Sequence, residues 1–177
     1  MINKAIMFAT VAHSNQKRKG ADKPYILHPL EAGIVVSQMK YDTDLICAAI
    51  LHDTVEDAKV AYETIEQLFN KKISDLVKAQ SEDKSKCWKE RKQHTIDYYN
   101  SMATEDEKIV CLGDKLSNMR SLESDYMIVE EELWNRFNVK EKSQHKWYYE
   151  SLVDALSSLQ GFEEYQEFKK LVNKVFG

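Results

Sequence analysis

Glycine and proline are scarce in this chain. Five glycines and two prolines among 177 residues fall well below the roughly 12% of ordinary usage. Turns are therefore few, which argues against a sandwich or barrel and for helices. Cysteine is scarce too. Cys47, Cys87 and Cys111 lie far apart and lack metal-ligand spacing, so neither a disulfide framework nor a thiolate site is expected. A reducing compartment, the cytoplasm, fits this usage. No run approaches the roughly 18 to 20 apolar residues of a membrane span. Nor is positive charge in excess: 25 Lys and Arg against 29 Asp and Glu leave a formal charge of −4. That argues against a chain-wide nucleic-acid footprint and leaves room for local basic clusters that hold a small polyanion.

What is present reads as an ordinary folded chain, 43% hydrophobic and 31% charged. At roughly 150 residues per domain, the expectation is one all-α domain spanning 1–177, with about eight to ten helices. Lys4 followed by the short apolar run Ala5 to Ala12 faintly resembles a signal peptide. Ile2, Ala5, Ile6 and Ala9 nonetheless recur at helical spacing and favour an amphipathic first helix to about Ser14. A basic loop from Gln16 to Tyr25 follows, broken by Gly20 and Pro24. Pro29 suits the first position of a second helix, with Leu30, Ile34, Val35 and Met39 on its buried face. Asp42 can cap a third helix whose body, Leu45 to Leu51, is apolar all round.

Weaker helices are expected near 61–70 and 71–80, a polar loop over 81–86, and a helix from Trp88 to Met102. Thr104 and Glu107 have capping-box spacing and open the next helix. Residues 122–142 read only loosely as helical. Ser143 to Leu159 and the segment after Gly161 complete the pattern. His94 and His145 suggest surface roles, and Trp134 and Trp147 suggest core.

The strongest chemical signal is His52-Asp53 at the end of the most apolar helix. Burying an unpaired imidazole and carboxylate costs several kcal/mol, and a divalent metal would remove that cost. Nitrogen and oxygen donors without cysteine suit Mn²⁺, Fe²⁺ or Zn²⁺ better than Ca²⁺. His28 and Asp114 are candidates to complete the set. If the helix continues, Glu56 lies four after His52 and Asp57 four after Asp53, so both carboxylates project beside the metal, where they could activate water.

Four blocks together carry a resemblance: His13-x-x-Gln16-x-Arg18-Lys19, Pro24-Tyr25-x-x-His28-Pro29, His52-Asp53-Thr54-Val55-Glu56-Asp57, and Gly113-Asp114-Lys115-Leu116-x-Asn118-Met119-Arg120. From about Ala5 to Leu159 the chain resembles the hydrolase domain of RelA/SpoT-type enzymes. These belong to the HD metal-dependent phosphohydrolase superfamily, and the small stand-alone alarmone hydrolases look most similar. The resemblance implies that His28, His52, Asp53 and Asp114 bind a divalent metal, usually Mn²⁺, and that Glu56 and Asp57 orient or activate the attacking water. It implies that Arg18 and Lys19 contact the nucleotide base and phosphates, that Asn118 meets the ribose or base, and that Tyr148 lies near the substrate. The implied reaction is 3′-pyrophosphohydrolysis of guanosine 3′,5′-bis(diphosphate) (ppGpp) or its 5′-triphosphate relative.

Gly20 and Lys23 stand where the long enzymes usually carry a serine and a glycine, and no segment offers room for a synthetase domain. Two alternatives stay open at this point. One is the same chemistry on another nucleotide, such as the 2′-phosphate of NADPH or a nucleoside 3′-phosphate. The other is a nucleotide-binding module without turnover. Lys84, Lys86, Arg91 and Lys92 can form a second basic wall or a plain solvated face. Oligomeric state is not legible.

Overall fold

The computed structural model describes residues 1–177. It contains ten α-helices and two short 3₁₀ helices, with no strand. In order these are α1 (Ile2–Ala12), α2 (Leu27–Met39), α3 (Thr43–Leu51), α4 (Thr54–Ala58), α5 (Tyr62–Leu68), α6 (Lys71–Ala79), α7 (Trp88–Ser101), α8 (Glu105–Val129), α9 (Lys142–Ala155) and α10 (Glu163–Phe176). The 3₁₀ turns are Glu130–Arg136 and Ser157–Leu159. No helix is long and apolar enough to cross a membrane.

The central layer is α2, α3 and α8. Leu45 to Leu51 of α3 are all buried, as an all-round apolar helix requires. Each large side chain buried there contributes roughly 1.5–3 kcal/mol. The helix starts where Asp42 accepts hydrogen bonds from the amides of Asp44 (2.8 Å) and Leu45 (3.3 Å). Thr104 and Glu107 form the expected reciprocal box at the start of α8. Gly113 sets the spacing between α2 and α8. A Cβ there would come within 2.9 Å of the Ala32 carbonyl oxygen and 2.7 Å of Val36 Cγ2, so only glycine lets the two backbones approach this closely.

Several sequence expectations shift. α2 begins at Leu27, two residues before Pro29. Proline is tolerated there because the amides of the whole first turn lack intrahelical partners. Its buried face runs through Ala32, Val35, Val36 and Met39, while Ile34 is exposed. The loosely read segment 122–142 is mostly helical, because α8 extends to Val129 and the first 3₁₀ turn follows. His145 is buried, not at the surface. It stacks on Trp134 (centroids 5.2 Å) and its Nε2 meets the Val139 carbonyl at 2.8 Å.

Candidate active site

α3 ends at Leu51, and His52 and Asp53 form a tight turn before α4. The predicted continuous helix is therefore broken, but both residues keep right-handed backbone angles. The Asp57 amide still donates to the Asp53 carbonyl at 2.9 Å. The i, i+4 relation between Asp53 and Asp57 survives the break, and Glu56 and Asp57 both lie on α4, the turn that follows His52 and Asp53.

His28 from the first turn of α2, His52 and Asp114 from α8 bring donor atoms within 4.8 Å of one another. Asp53 Oδ2 lies 3.0 Å from His52 Nε2 and 3.5 Å from His28 Nε2. Asp114 Oδ1 lies 3.2 Å from His28 Nε2 and 3.6 Å from His52 Nε2.

The tautomers follow from the outer partners. His52 Nδ1 faces the Ala49 carbonyl at 2.7 Å and must donate to it. His28 Nδ1 meets Ser117 Oγ at 2.9 Å. The Ser117 hydroxyl gives its proton to Glu31 at 2.8 Å, so His28 Nδ1 is the donor. With Nδ1 as the donor, each imidazole turns its Nε2 toward two carboxylate oxygens, and offers a lone pair there once that nitrogen is deprotonated, as a metal ligand must be. His52 Nε2 is buried and has no aligned hydrogen bond. Three donors within 4.8 Å of one another, with Asp53 Oδ2 beside both imidazoles, call for a cation, and this nitrogen–oxygen set fits a divalent one.

The charges agree. Burial disfavours an ionised His52, yet Asp53 and then Asp114 outweigh it and raise its pKa well above the imidazole norm. Burial likewise opposes ionised Asp53 and Asp114. At Asp53 the His52 imidazole prevails, and at Asp114 Lys115 and His52 prevail, holding both carboxyls well below the usual range.

A ring of further residues fixes these donors. Tyr25 Oη lies 2.7 Å from Asp53 Oδ2 and 3.1 Å from Asp57 Oδ2. Lys115 Nζ donates to Asp114 Oδ2 at 2.6 Å, and Asn118 Nδ2 donates to Asp114 Oδ1 at 2.6 Å. Glu56 Oε1 accepts from the backbone amide of Glu82. Lys84 Nζ reaches the Glu56 carbonyl at 2.9 Å, Asp57 Oδ1 at 3.0 Å and Glu56 Oε2 at 3.4 Å. His13 packs beside Tyr25 (centroids 5.0 Å) and meets Gln16, whose amide donates to the Asp57 carbonyl at 2.7 Å.

Beside this centre lies a pocket of about 370 Å³. Arg18, Lys19, Tyr25, Asp57, Asn118 and Tyr149 line it, with Phe137 and Leu133 on the apolar side. Gly20 turns the basic loop with φ +69°, a conformation L side chains rarely adopt. Of the four residues expected to meet substrate, Arg18, Lys19 and Asn118 share this pocket. Tyr148 does not, and its neighbour Tyr149 takes the wall position. Tyr148 is buried on the other side, with Lys92 Nζ 4.8 Å from its ring centre.

Sequence reasoning assigned no role to Tyr25, Lys115 or Ser117, although the first two lie inside the quoted blocks. Glu82 carried no signal at all, because its contact with Glu56 joins residues 26 apart with no fixed register.

Residues 5–136 match the HD domain family. The guanosine-3′,5′-bis(diphosphate) 3′-pyrophosphohydrolase MESH1 of Xenopus tropicalis is 37% identical over 125 residues, 69% of this chain and 69% of that protein. The bifunctional (p)ppGpp synthase/hydrolase SpoT of Escherichia coli K12 is 33% identical over 128 residues. That alignment takes in 70% of this chain but only 18% of SpoT, so the chain spans less than a fifth of that relative. A solved structure described as a metazoan ortholog of SpoT that hydrolyzes ppGpp superposes with a TM-score of 0.83. At 24% identity over 98% of this chain and 94% of that one, it is a likeness of fold. The family match covers most of the chain and takes in His28, His52, Asp53 and Asp114, and this chain belongs to the HD domain family.

Proposed function

We propose that this chain is a single-domain, metal-dependent 3′-pyrophosphohydrolase acting in the cytoplasm. It removes pyrophosphate from ppGpp or its 5′-triphosphate relative and leaves GDP or GTP. The observation that carries the reading is the 37% identity to MESH1, which extends over 69% of both chains. The converging donors and the adjoining basic pocket support it.

In this reading His28, His52, Asp53 and Asp114 hold the metal, with Mn²⁺ the expected ion. When bound, the metal stabilises developing charge on the phosphoryl oxygens and lowers the pKa of water. Glu56 and Asp57 orient the attacking water. Lys84 and Tyr25 already occupy the Asp57 oxygens, and the Glu82 amide occupies Glu56 Oε1. Glu56 Oε2, with its nearest cation at 3.4 Å, is then the oxygen that takes the water proton. Water attacks the phosphorus on the ribose 3′-oxygen, the P–O3′ bond breaks, and the 3′-oxygen takes up a proton to leave as the ribose hydroxyl while the former water oxygen departs in pyrophosphate. Arg18 and Lys19 meet the base and phosphates, Arg18 as the stronger fork donor. Asn118 meets the ribose or base, and Tyr148 belongs to the substrate from the inner side.

The test is pyrophosphate release from ppGpp with about millimolar Mn²⁺, enough to saturate a weak carboxylate site, against a chelated control. Metal-dependent release at about 1 s⁻¹ or faster, an ordinary enzyme rate, is the expected result. No release from ppGpp, with turnover of NADPH or a nucleoside 3′-phosphate instead, would overturn the substrate.

A further inference from the structure

Four buried polar side-chain atoms lack a hydrogen-bond partner: His13 Nε2, His52 Nε2, Arg91 Nε and Tyr148 Oη. The converging donor set accounts for His52. Three remain: His13 packs against Tyr25 apart from the others, while Arg91 and Tyr148 belong to one cluster around Glu82 and Lys92. Buried orphans are rare enough in folded proteins that each asks for a cause.

The cluster lies between Glu56 and Asp114. Lys92 Nζ donates to Glu82 Oε1 at 2.7 Å, and Arg91 Nη1 donates to Glu82 Oε2 at 3.2 Å. Glu82 in turn holds Glu56 through its amide. Lys115 holds Asp114 and is close enough for its charge to act on Lys92, Glu82 and Tyr148. The side chains of Lys92, Lys115 and Arg91 are only 18%, 16% and 23% exposed, and Tyr148 is 4% exposed. Neither Tyr148 nor Lys92 lines the pocket that holds Arg18.

This is more donor capacity than the protein uses. An ammonium has three N–H groups, and Lys92 and Lys115 each make one close bond to a carboxylate. Arg91 Nε–H and the Tyr148 hydroxyl make none. A clamp on Glu82 needs Lys92 or Arg91. It does not need a second buried lysine or an unpaired hydroxyl. A small dianion with several acceptor oxygens offers the kind of partner these donors lack.

Building on the proposed function, we propose that Arg91, Lys92, Lys115 and Tyr148 form a subsite for the phosphate that is not attacked, the distal group of a 3′-diphosphate. The scissile phosphate then sits at the metal, with the nucleoside in the Arg18 pocket and the second phosphate on this inner side. The subsite selects a diphosphate over a monophosphate.

Tyr148→Phe is the cleanest probe. It removes a hydroxyl with no partner in the protein, so the melting temperature should hold or rise. The comparison is kcat/KM on ppGpp against the analogue with a single 3′-phosphate. Calorimetric binding of inorganic pyrophosphate to the metal-loaded protein supplies a readout without turnover. Tyr148→Phe should lose about tenfold on ppGpp, in line with one hydrogen bond to a charged group, and far less on the monophosphate. Lys92→Met should lose more, and Lys92→Arg should recover part of it. Equal losses on both substrates, or unchanged pyrophosphate binding in both Tyr148→Phe and Lys92→Met, would overturn the subsite. If the wild type hydrolyses neither substrate but binds pyrophosphate through Lys92 and Tyr148, the proposed reaction fails and the subsite stands.

Discussion

The guanidinium of Arg18 donates to the side-chain oxygen of Asn118 at 2.7 Å, joining residues 100 apart in sequence. The Asn118 amide nitrogen at the same time donates to Asp114 Oδ1 at 2.6 Å. The basic loop is thereby tied through one amide to a donor of the metal set. Substrate contact and metal geometry share a joint, and the two can be separated by mutation.

Arg18→Ala should raise KM for ppGpp about tenfold or more, the size of a lost charge-assisted hydrogen bond. Metal affinity should stay within about twofold, because Asn118 still holds Asp114. Asn118→Leu removes both links and should also weaken metal binding, by about 10- to 100-fold as for other outer partners of metal ligands. Steady-state kinetics with Mn²⁺ titration reads both. Equal metal affinity in the two variants would refute the shared joint.

Glu56→Ala should retain the metal and lose kcat by about 10²–10⁴, the range for a positioned acid or base. His52→Ala should instead lose the metal itself, seen by equilibrium dialysis. Near-normal kcat in Glu56→Ala would show that another group takes the proton.

Much of this site was legible because its residues occur in short blocks at fixed spacing. His52-Asp53 follows an all-apolar helix, and caps such as Asp42 and Thr104 obey local rules. What stayed hidden depends on packing between distant segments. Ile34 and Val36 are both apolar, and only the angle at which α2 meets α8 decides that Val36 is buried and Ile34 is exposed. Tyr148 and Tyr149 are neighbours in sequence, and the rotation of α9 alone puts Tyr149 on the pocket. The Glu82–Glu56 contact needs the whole loop before α7 to be in place.

Tyr25→Phe removes the hydroxyl shared by Asp53 and Asp57. The single phenolic proton serves one carboxylate at a time, so its loss leaves whichever it holds freer to rotate. The expected outcome is a fall in kcat of about tenfold, a neutral-to-charged hydrogen bond's worth, with KM little changed. A change confined to KM would place Tyr25 with substrate binding instead.

Thiol chemistry should be selective. Burial pushes the Cys47 thiol up to about 11 and the Cys111 thiol up to about 12, and both lie inside the core, while Cys87 is exposed. An aromatic disulfide reagent should therefore titrate one thiol quickly and the other two only on unfolding. Cys87→Ser should abolish the fast phase and keep the fold, since serine is a good cap at the start of α7. More than one fast thiol in the native protein would contradict the packing.

His145 supplies a pH test independent of the metal. Burial lowers its pKa below 6.5, only partly opposed by its bond to the Val139 carbonyl, and Lys92 adds to the lowering. A base depressed in the folded state binds fewer protons there than in the unfolded chain. Stability is then complete above the unfolded value of about 6.5 and falls as pH drops through it, until the folded value is reached. The carboxylate of Glu141 pulls the other way but ranks behind Lys92. His145→Gln keeps a donor for Val139 and loses the titration. With saturating Mn²⁺ in both proteins, the wild type should lose more melting temperature than His145→Gln between about pH 7.5 and 5.5, whatever their absolute difference. Parallel curves would mean that His145 titrates alike in the folded and unfolded chains, which its stacking on Trp134 at 5.2 Å and its burial argue against.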